Sequence, residues 1–298
     1  MQTRPLGNTG LKVTPLGFGA MHINDERVSE DEAAYLLNAV LDLGVNLIDT
    51  ARGYGLSEQR IGQHLQHRRS EFLLSTKVGY GIAGVPDWTY DCIIAGVEAA
   101  LVRMRCSHID IVHLHSCPLP ILQQGDVIRA LESCVTSGKI RAAAYSGDNA
   151  EVDFAIECGQ FSVIQSSVSV CDQINFAQRI PAMQTNGIGL IAKRPIAGAV
   201  WRRSERPNND AEGAYWDRWQ EVRLADALAD ISQLDPTEIA LRFTAHAPGV
   251  ATCIVGTSKL EHFAQNLRFV ENGPLPQEIA DLIRAKFLQY GASWAGFI

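Results

Sequence analysis

Residues 109–145 read IDIVHLHSCPLPILQQGDVIRALESCVTSGKIRAAAY, and they hold one complete unit of the fold. Ile109 to His115 is a short apolar run. Val127, Leu131 and Val135 then line one face of a helix that stops at Gly138, and Ile140 to Tyr145 is a second apolar run. An apolar run, an amphipathic helix and another apolar run predict two strands lying parallel in one sheet.

The same rhythm extends in both directions. Before the unit stand Val13 to Phe18, Val45 to Thr50 and Phe72 to Lys77; after it stand Ser162 to Gln165, Gly189 to Ala192 and Ala251 to Val255. Eight parallel strands with helices between them close most simply into a (β/α)8 TIM barrel. An N-terminal β-hairpin precedes it, because Asn8-Thr9-Gly10 separates two short strands. Ser29 and Glu32 form a capping box, Ala33, Leu36, Leu37, Val40 and Leu41 form one stripe, and Gly44 sits at a helix C-terminus.

Two stretches exceed a minimal barrel. Arg194 to Asp217 is a long connection after the seventh strand, a kind of loop that is usually functional or mobile. The C-terminal helical tail, Gln277 to Ile298, begins as a helix and ends in GASWAGFI, which could fold back over the same face. Without a linker-like shift in composition or a short internal repeat, residues 1–298 read as a single domain.

Composition sets the function classes. Hydrophobic residues are 46% and charged residues 20% of the 298, the balance of a globular protein. A net charge of −7 argues against a nucleic-acid partner, and Arg202, Arg203 and Arg206 read as a solvated loop. No stretch reaches the roughly 18 apolar residues of a membrane span, and MQTRPLGNTG lacks the apolar core of a signal peptide, so a cytoplasmic protein is expected. The seven cysteines (Cys92, Cys106, Cys117, Cys134, Cys158, Cys171 and Cys253) are scattered, suggesting neither a disulfide framework nor a zinc knuckle. Cys117 stands out as a possible exposed thiol.

A barrel of this type carries its site at the C-terminal ends of its strands. Asp49 closes the second run, Lys77 the third and His115 the fourth, and the loop after the second supplies Tyr54. A tyrosine hydroxyl, with an ordinary pKa of about 10, acts as a general acid near neutrality only where its anion is stabilised. Lys77 offers the cation, Asp49 keeps that cation protonated, and a neutral His115 can orient a substrate oxygen. The set suits protonation of a developing alkoxide. Taken singly, Asp49 and Lys77 also suit a buried ion pair, Tyr54 a loop anchor and His115 a core histidine.

The segments RPLGNTGLKVTPLGFGAM (4–21), IDTARGYGLSE (48–58), FLLSTK (72–77), HIDIVHLHSCP (108–118), GKIRAAAYSG (138–147) and IVGTSKLEHFAQNL (254–267) resemble, in order, the signatures of the aldo-keto reductase family. The resemblance implies a (β/α)8 barrel that binds NADPH or NADH across its C-terminal face and transfers hydride to an aldehyde or ketone. It implies that Asp49, Tyr54, Lys77 and His115 are the catalytic tetrad. Gly19, Ala20 and Met21 match the loop beside the nicotinamide ribose and diphosphate, and Ser146 and Gln165 match residues that bond the carboxamide. Gly147 replaces an asparagine usual in the family, and Lys193 stands where an aromatic platform for the nicotinamide is common. Gly256, Thr257, Ser258, Lys259, His262, Gln265 and Asn266 match the segment that holds the adenosine phosphates and reads the ribose 2′ position. His262 replaces a frequent arginine there, which implies a moderate preference for NADP.

The expected substrate is a small carbonyl compound or sugar, and Trp88, Trp201 and Trp294 suit either a pocket wall or ordinary packing. The pair His113 and His115 also raises a metal-dependent hydrolase, but the later strands end near Ser146, Gln165 and Gly256, none able to replace an imidazole ligand. No metal is expected. A nicotinamide-binding regulatory subunit with little turnover is the alternative from outside enzymology.

Overall fold

Most barrel strands change chemical character along their length, and that change positions the site. The computed structural model describes residues 2–297 except 178, 230 and 231. Strands β1 (Arg4–Pro5) and β2 (Lys12–Val13) pair antiparallel as the hairpin. Then β3 (Leu16–Gly19), β4 (Leu47–Asp49), β5 (Leu73–Val78), β6 (Ile109–His115), β7 (Ile140–Ser146), β8 (Val163–Ser167), β9 (Gly189–Lys193) and β10 (Val250–Val255) run in chain order. Each pairs parallel with the next, and β10 pairs with β3 to close the barrel.

Side chains two apart share a face of a strand. On the inward face the lower positions, Leu47, Ile111, Ala142, Ala144, Val163 and Ile191, form one apolar cluster with Leu6, Leu11 and Val13 of the hairpin, which plugs the N-terminal mouth. Continuing up the same faces the sequence turns polar: Asp49 follows Leu47, His113 and His115 follow Ile111, Ser146 follows Ala144, Gln165 follows Val163 and Lys193 follows Ile191. The outward positions, among them Ile48, Leu74, Val112, Leu114, Tyr145 and Ile164, pack beneath the helices in the largest cluster.

Several expectations need correction. The run Val13 to Phe18 is not one strand: Val13 ends the hairpin and Leu16 begins the barrel. Pro15 has no N–H to give a ladder, and the Thr14 N–H donates to the Asn46 side chain at 2.8 Å instead. In the helix Asp126–Thr136 the buried stripe is Val127, Ile128, Leu131 and Cys134, while Val135 is exposed. The connection from 194 to 217 is partly helical, with a short turn at Ala197–Arg202 and a helix at Asp210–Val222. That helix packs against Gln277–Tyr290, burying Tyr215, Trp219, Val222, Ile279 and Ile283 together.

Other expectations hold. The Ser29 and Glu32 capping box has both of its bonds, and Gly44 adopts φ +81°. The tail does return over the C-terminal face: Arg194 Nη1 donates to the Phe297 carbonyl at 2.6 Å, and the Arg218 guanidinium lies 3.8 Å from the Phe297 ring centroid. Among the described residues no helix is long and apolar enough to cross a membrane.

Candidate active site

At the C-terminal mouth, a cavity of about 450 Å³ is lined by Asp49, Tyr54, Lys77, His115, Ser146, Gln165 and Lys193, among others. Strand register brings these groups together: Asp49 sits opposite Ser75, Lys77 opposite His113, His115 opposite Ser146, and Ser146 opposite Gln165. Lys77 Nζ donates to Asp49 Oδ2 at 2.6 Å and to the Thr50 carbonyl at 2.7 Å. The second Asp49 oxygen accepts from Ser75 Oγ at 2.7 Å and Gln165 Nε2 at 2.9 Å. The Lys77 ammonium lies 5.0 Å from the Tyr54 ring centroid, and the Tyr54 and His115 rings meet edge to face at 6.0 Å.

The electrostatics follow from burial and pairing. Burial opposes ionisation of Asp49, yet the Lys77 charge, His113 and the Lys77 and Ser75 hydrogen bonds hold its carboxyl below the usual range. Burial likewise opposes the Lys77 charge, while Asp49 and Tyr54 hold its ammonium above the usual value. His115 is pushed down to about 3 by burial and then by the cations Lys77 and Lys193, so the imidazole is neutral at working pH. His113, fully buried one layer below, donates from Nε2 to Ser75 Oγ at 3.0 Å, since the Ser75 proton goes to Asp49, and is pushed down to about 4, chiefly by burial.

The residues matched to cofactor binding divide into two groups. Gly19, Met21, Ser146, Gln165, Lys193 and Gly256 line the cavity with the four central residues. Ala20 is buried behind it; Thr257, Ser258, Lys259, His262, Gln265 and Asn266 lie outside its lining, at the start and along the helix Leu260–Glu271. The donor set suits a nicotinamide. Ser146 Oγ donates to Gln165 Oε1 at 3.0 Å, which leaves one Gln165 N–H and the Ser146 lone pairs for a carboxamide. Gly256 lets the end of β10 close on the loop after β3, since a Cβ there would stand 2.7 Å from His22 Cδ2 and 2.8 Å from the Gly19 carbonyl oxygen.

Both departures from the family pattern have local causes. A side chain at Gly147 would meet the Tyr145 ring at 2.5 to 2.8 Å, and Tyr145 is fixed by donating to the Cys117 carbonyl at 3.1 Å. Lys193 lines the cavity with its ammonium paired: its Nζ lies 2.9 Å from Asp148 Oδ2, and Asp148 also accepts from Ser166 Oγ and from the N–H and hydroxyl of Ser167.

Other groups at the mouth were not singled out from sequence. His22, Ser116, Arg194, Glu212 and Tyr215 line the cavity, and Tyr80 bonds His115 from behind. Ser116 and Arg194 adopt φ +58° and +56° at strand ends, the backbone strain typical of functional loops. His22 directly follows Met21, Ser116 directly follows His115, Arg194 directly follows Lys193 and Tyr80 lies three residues after Lys77, whereas no candidate residue stands beside Glu212 or Tyr215 in the sequence. Cys117 is buried, not exposed, and burial pushes its thiol up to about 12. Trp88, Trp201 and Trp294 are outside the cavity lining: Trp88 packs on Tyr80, Trp201 on Trp219 and Trp294 on Phe287. Among the described residues no three His, Cys, Asp or Glu side chains gather to hold a metal.

A buried cation, a phenol and a neutral imidazole thus meet at the mouth of a parallel (β/α)8 barrel. Residues 15–287 match the model of the Aldo/keto reductase family, and the chain belongs to that family, whose oxidoreductases use nicotinamide cofactors. It is 25% identical to L-galactose dehydrogenase of Arabidopsis thaliana, covering 91% of this chain and 88% of that protein. It is also 25% identical to the "Probable voltage-gated potassium channel subunit beta" of Oryza sativa subsp. japonica, covering 96% of each. Among solved structures it resembles the holo form of an aldo-keto reductase from Bacillus halodurans, with a TM-score of 0.85, 27% identity, and 98% and 97% of the two chains covered.

Proposed function

We propose that the protein reduces aldehydes or ketones to alcohols, or runs the reverse reaction, with Tyr54 as general acid and base. The observation that carries this reading is the buried Lys77 and Asp49 pair at 2.6 Å, set against the Tyr54 ring in the same cavity as a neutral His115. In the reductive direction Tyr54 gives its hydroxyl proton to the carbonyl oxygen. The Lys77 ammonium stabilises the phenolate that remains, and Asp49 keeps the ammonium charged. His115, neutral, donates a hydrogen bond that orients the same oxygen. Ser146 and Gln165 would hold the carboxamide of the nicotinamide, which when bound supplies or accepts the hydride.

The segment Thr257, Ser258 and Lys259 supports NADPH over NADH. It precedes a helix N-terminus, which favours phosphate, and Lys259 adds an exposed cation. A lysine is a point charge rather than a bidentate fork, so the preference is moderate. The relative L-galactose dehydrogenase favours a sugar among small carbonyl and hydroxyl substrates.

A second reading, a nicotinamide-binding subunit with little turnover, draws on the resemblance to the channel subunit. A panel of aldehydes, ketones and sugars, followed by absorbance of the reduced cofactor, separates the two. Consumption of NADPH or its formation with any member supports the enzyme; a bound cofactor that no member turns over supports the binding subunit.

A further inference from the structure

Tyr80 touches the site through His115. Its hydroxyl lies 2.7 Å from His115 Nδ1, and the two rings are nearly parallel, 22° apart with centroids at 5.7 Å. The loop that carries Tyr80 is tied on both sides. The Trp88 N–H donates to the Gly79 carbonyl at 2.7 Å, the Gly81 N–H donates to Asp87 Oδ1 at 2.9 Å, and Arg52 Nε donates to the Gly81 carbonyl at 3.1 Å. Gly79 adopts φ +143° with Trp88 packed so close that a Cβ there would stand 2.2 Å from Cζ3. Trp88 in turn meets the Tyr80 ring at 5.9 Å. On the other side, Gly53 lets the hydroxyl in: a Cβ at that position would be 3.0 Å from Tyr80 Oη. Two glycines and an indole thus hold one phenol against one imidazole nitrogen.

We propose that Tyr80 is a positioning residue that fixes His115 in the tautomer protonated at Nε2. A neutral imidazole has one N–H and one lone pair. Among the described residues Nδ1 is the hydrogen-bond partner of the Tyr80 hydroxyl, and Nε2 has none from the protein. When the hydroxyl donates to Nδ1, the ring proton sits on Nε2, free for an oxygen in the cavity. The opposite tautomer turns a lone pair toward that oxygen and repels it. The assignment rests on His115 being the second hydrogen-bond donor to the substrate oxygen.

The direct test is the tautomer itself, read from imidazole nitrogen shifts of protein labelled with ¹⁵N-histidine, with the His115 signal identified by its loss in His115→Gln. Wild-type protein is expected to show His115 protonated at Nε2 from pH 5.5 to 8.5, and Tyr80→Phe a mixture of both tautomers with the fold intact by near-UV circular dichroism. Turnover of that variant should fall roughly five- to tenfold in kcat, the worth of one neutral hydrogen bond, with cofactor Kd unchanged. A wild-type His115 protonated at Nδ1, or a Tyr80→Phe protein that keeps the pure Nε2 form, overturns the proposal whatever the activity. A shifted tautomer with unchanged turnover sustains the role of Tyr80 and removes His115 from the chemistry, so the two readings fail separately.

Discussion

Lys77 and Asp49 are each about 2% exposed, and neither has water to fall back on. Removing one partner of such a pair leaves an uncompensated buried charge, which costs about 3–5 kcal/mol. Lys77→Met is therefore expected to lower the free energy of unfolding in urea by that amount as well as abolishing activity, and Lys77→Met with Asp49→Asn to recover part of the stability but none of the turnover. Unchanged stability of the single variant would mean that Asp49 is neutral, not paired. The two residues were legible because each ends an apolar run, where a charged group inside a barrel has a limited choice of partners. Tyr80 was not legible as a partner of His115, since their hydrogen bond spans 35 residues and depends on how a glycine loop packs under Trp88.

At the scale of elements, periodicity and caps carried most of the reading. Strand order, the capping box at Ser29 and the helix ending at Gly138 are local facts, encoded within a few residues of where they act. Val135 was misread because a spacing of four fits two adjacent stripes of one helix, and only the neighbouring strands decide which faces inward. Gly147 and Lys193 likewise look like defects until Tyr145, two residues before Gly147, is seen to fill the space and Asp148, brought to Lys193 by the sheet, to take the charge. The helix Leu260–Glu271 carries the prediction for cofactor choice. Lys259 is exposed before its first turn, so Lys259→Ala should raise the KM for NADPH several-fold, within the ~0.3–1 kcal/mol expected of an exposed cation near phosphate, and leave NADH nearly unchanged. An equal effect on both cofactors would move 2′-phosphate recognition away from this segment.

For the whole molecule, the buried titratable groups set how stability varies with pH. His113 and His115 titrate at about 4 and about 3 in the folded chain, held down chiefly by burial. Their unfolded value is about 6.5, so the unfolded state binds more protons below it and each histidine's contribution, complete above pH 6.5, is lost as the pH falls. Asp172 works in the opposite sense, because burial raises it to about 6 despite Arg218 and the Tyr215 hydrogen bond. Two histidines against one aspartate leave a net loss of up to about 1.4 kcal/mol per pH unit between pH 6 and 4. His22 and His246, also lowered by burial, add in the same direction. The urea midpoint should fall steadily from pH 7 to pH 4.5; a flat or rising midpoint would show that the barrel mouth admits water to these rings.

The central claim is that the barrel mouth gathers Asp49, Lys77, His115 and Tyr54 so that the Tyr54 hydroxyl moves the proton, and Tyr54→Phe tests it most directly. The variant keeps the ring against Lys77 and loses the hydroxyl alone. With the best carbonyl substrate of the panel, its kcat/KM should fall by at least the ~10²–10⁴-fold typical of general acid catalysis, with thermal midpoint and cofactor Kd unchanged. Turnover within a few-fold of the wild type would contradict the account.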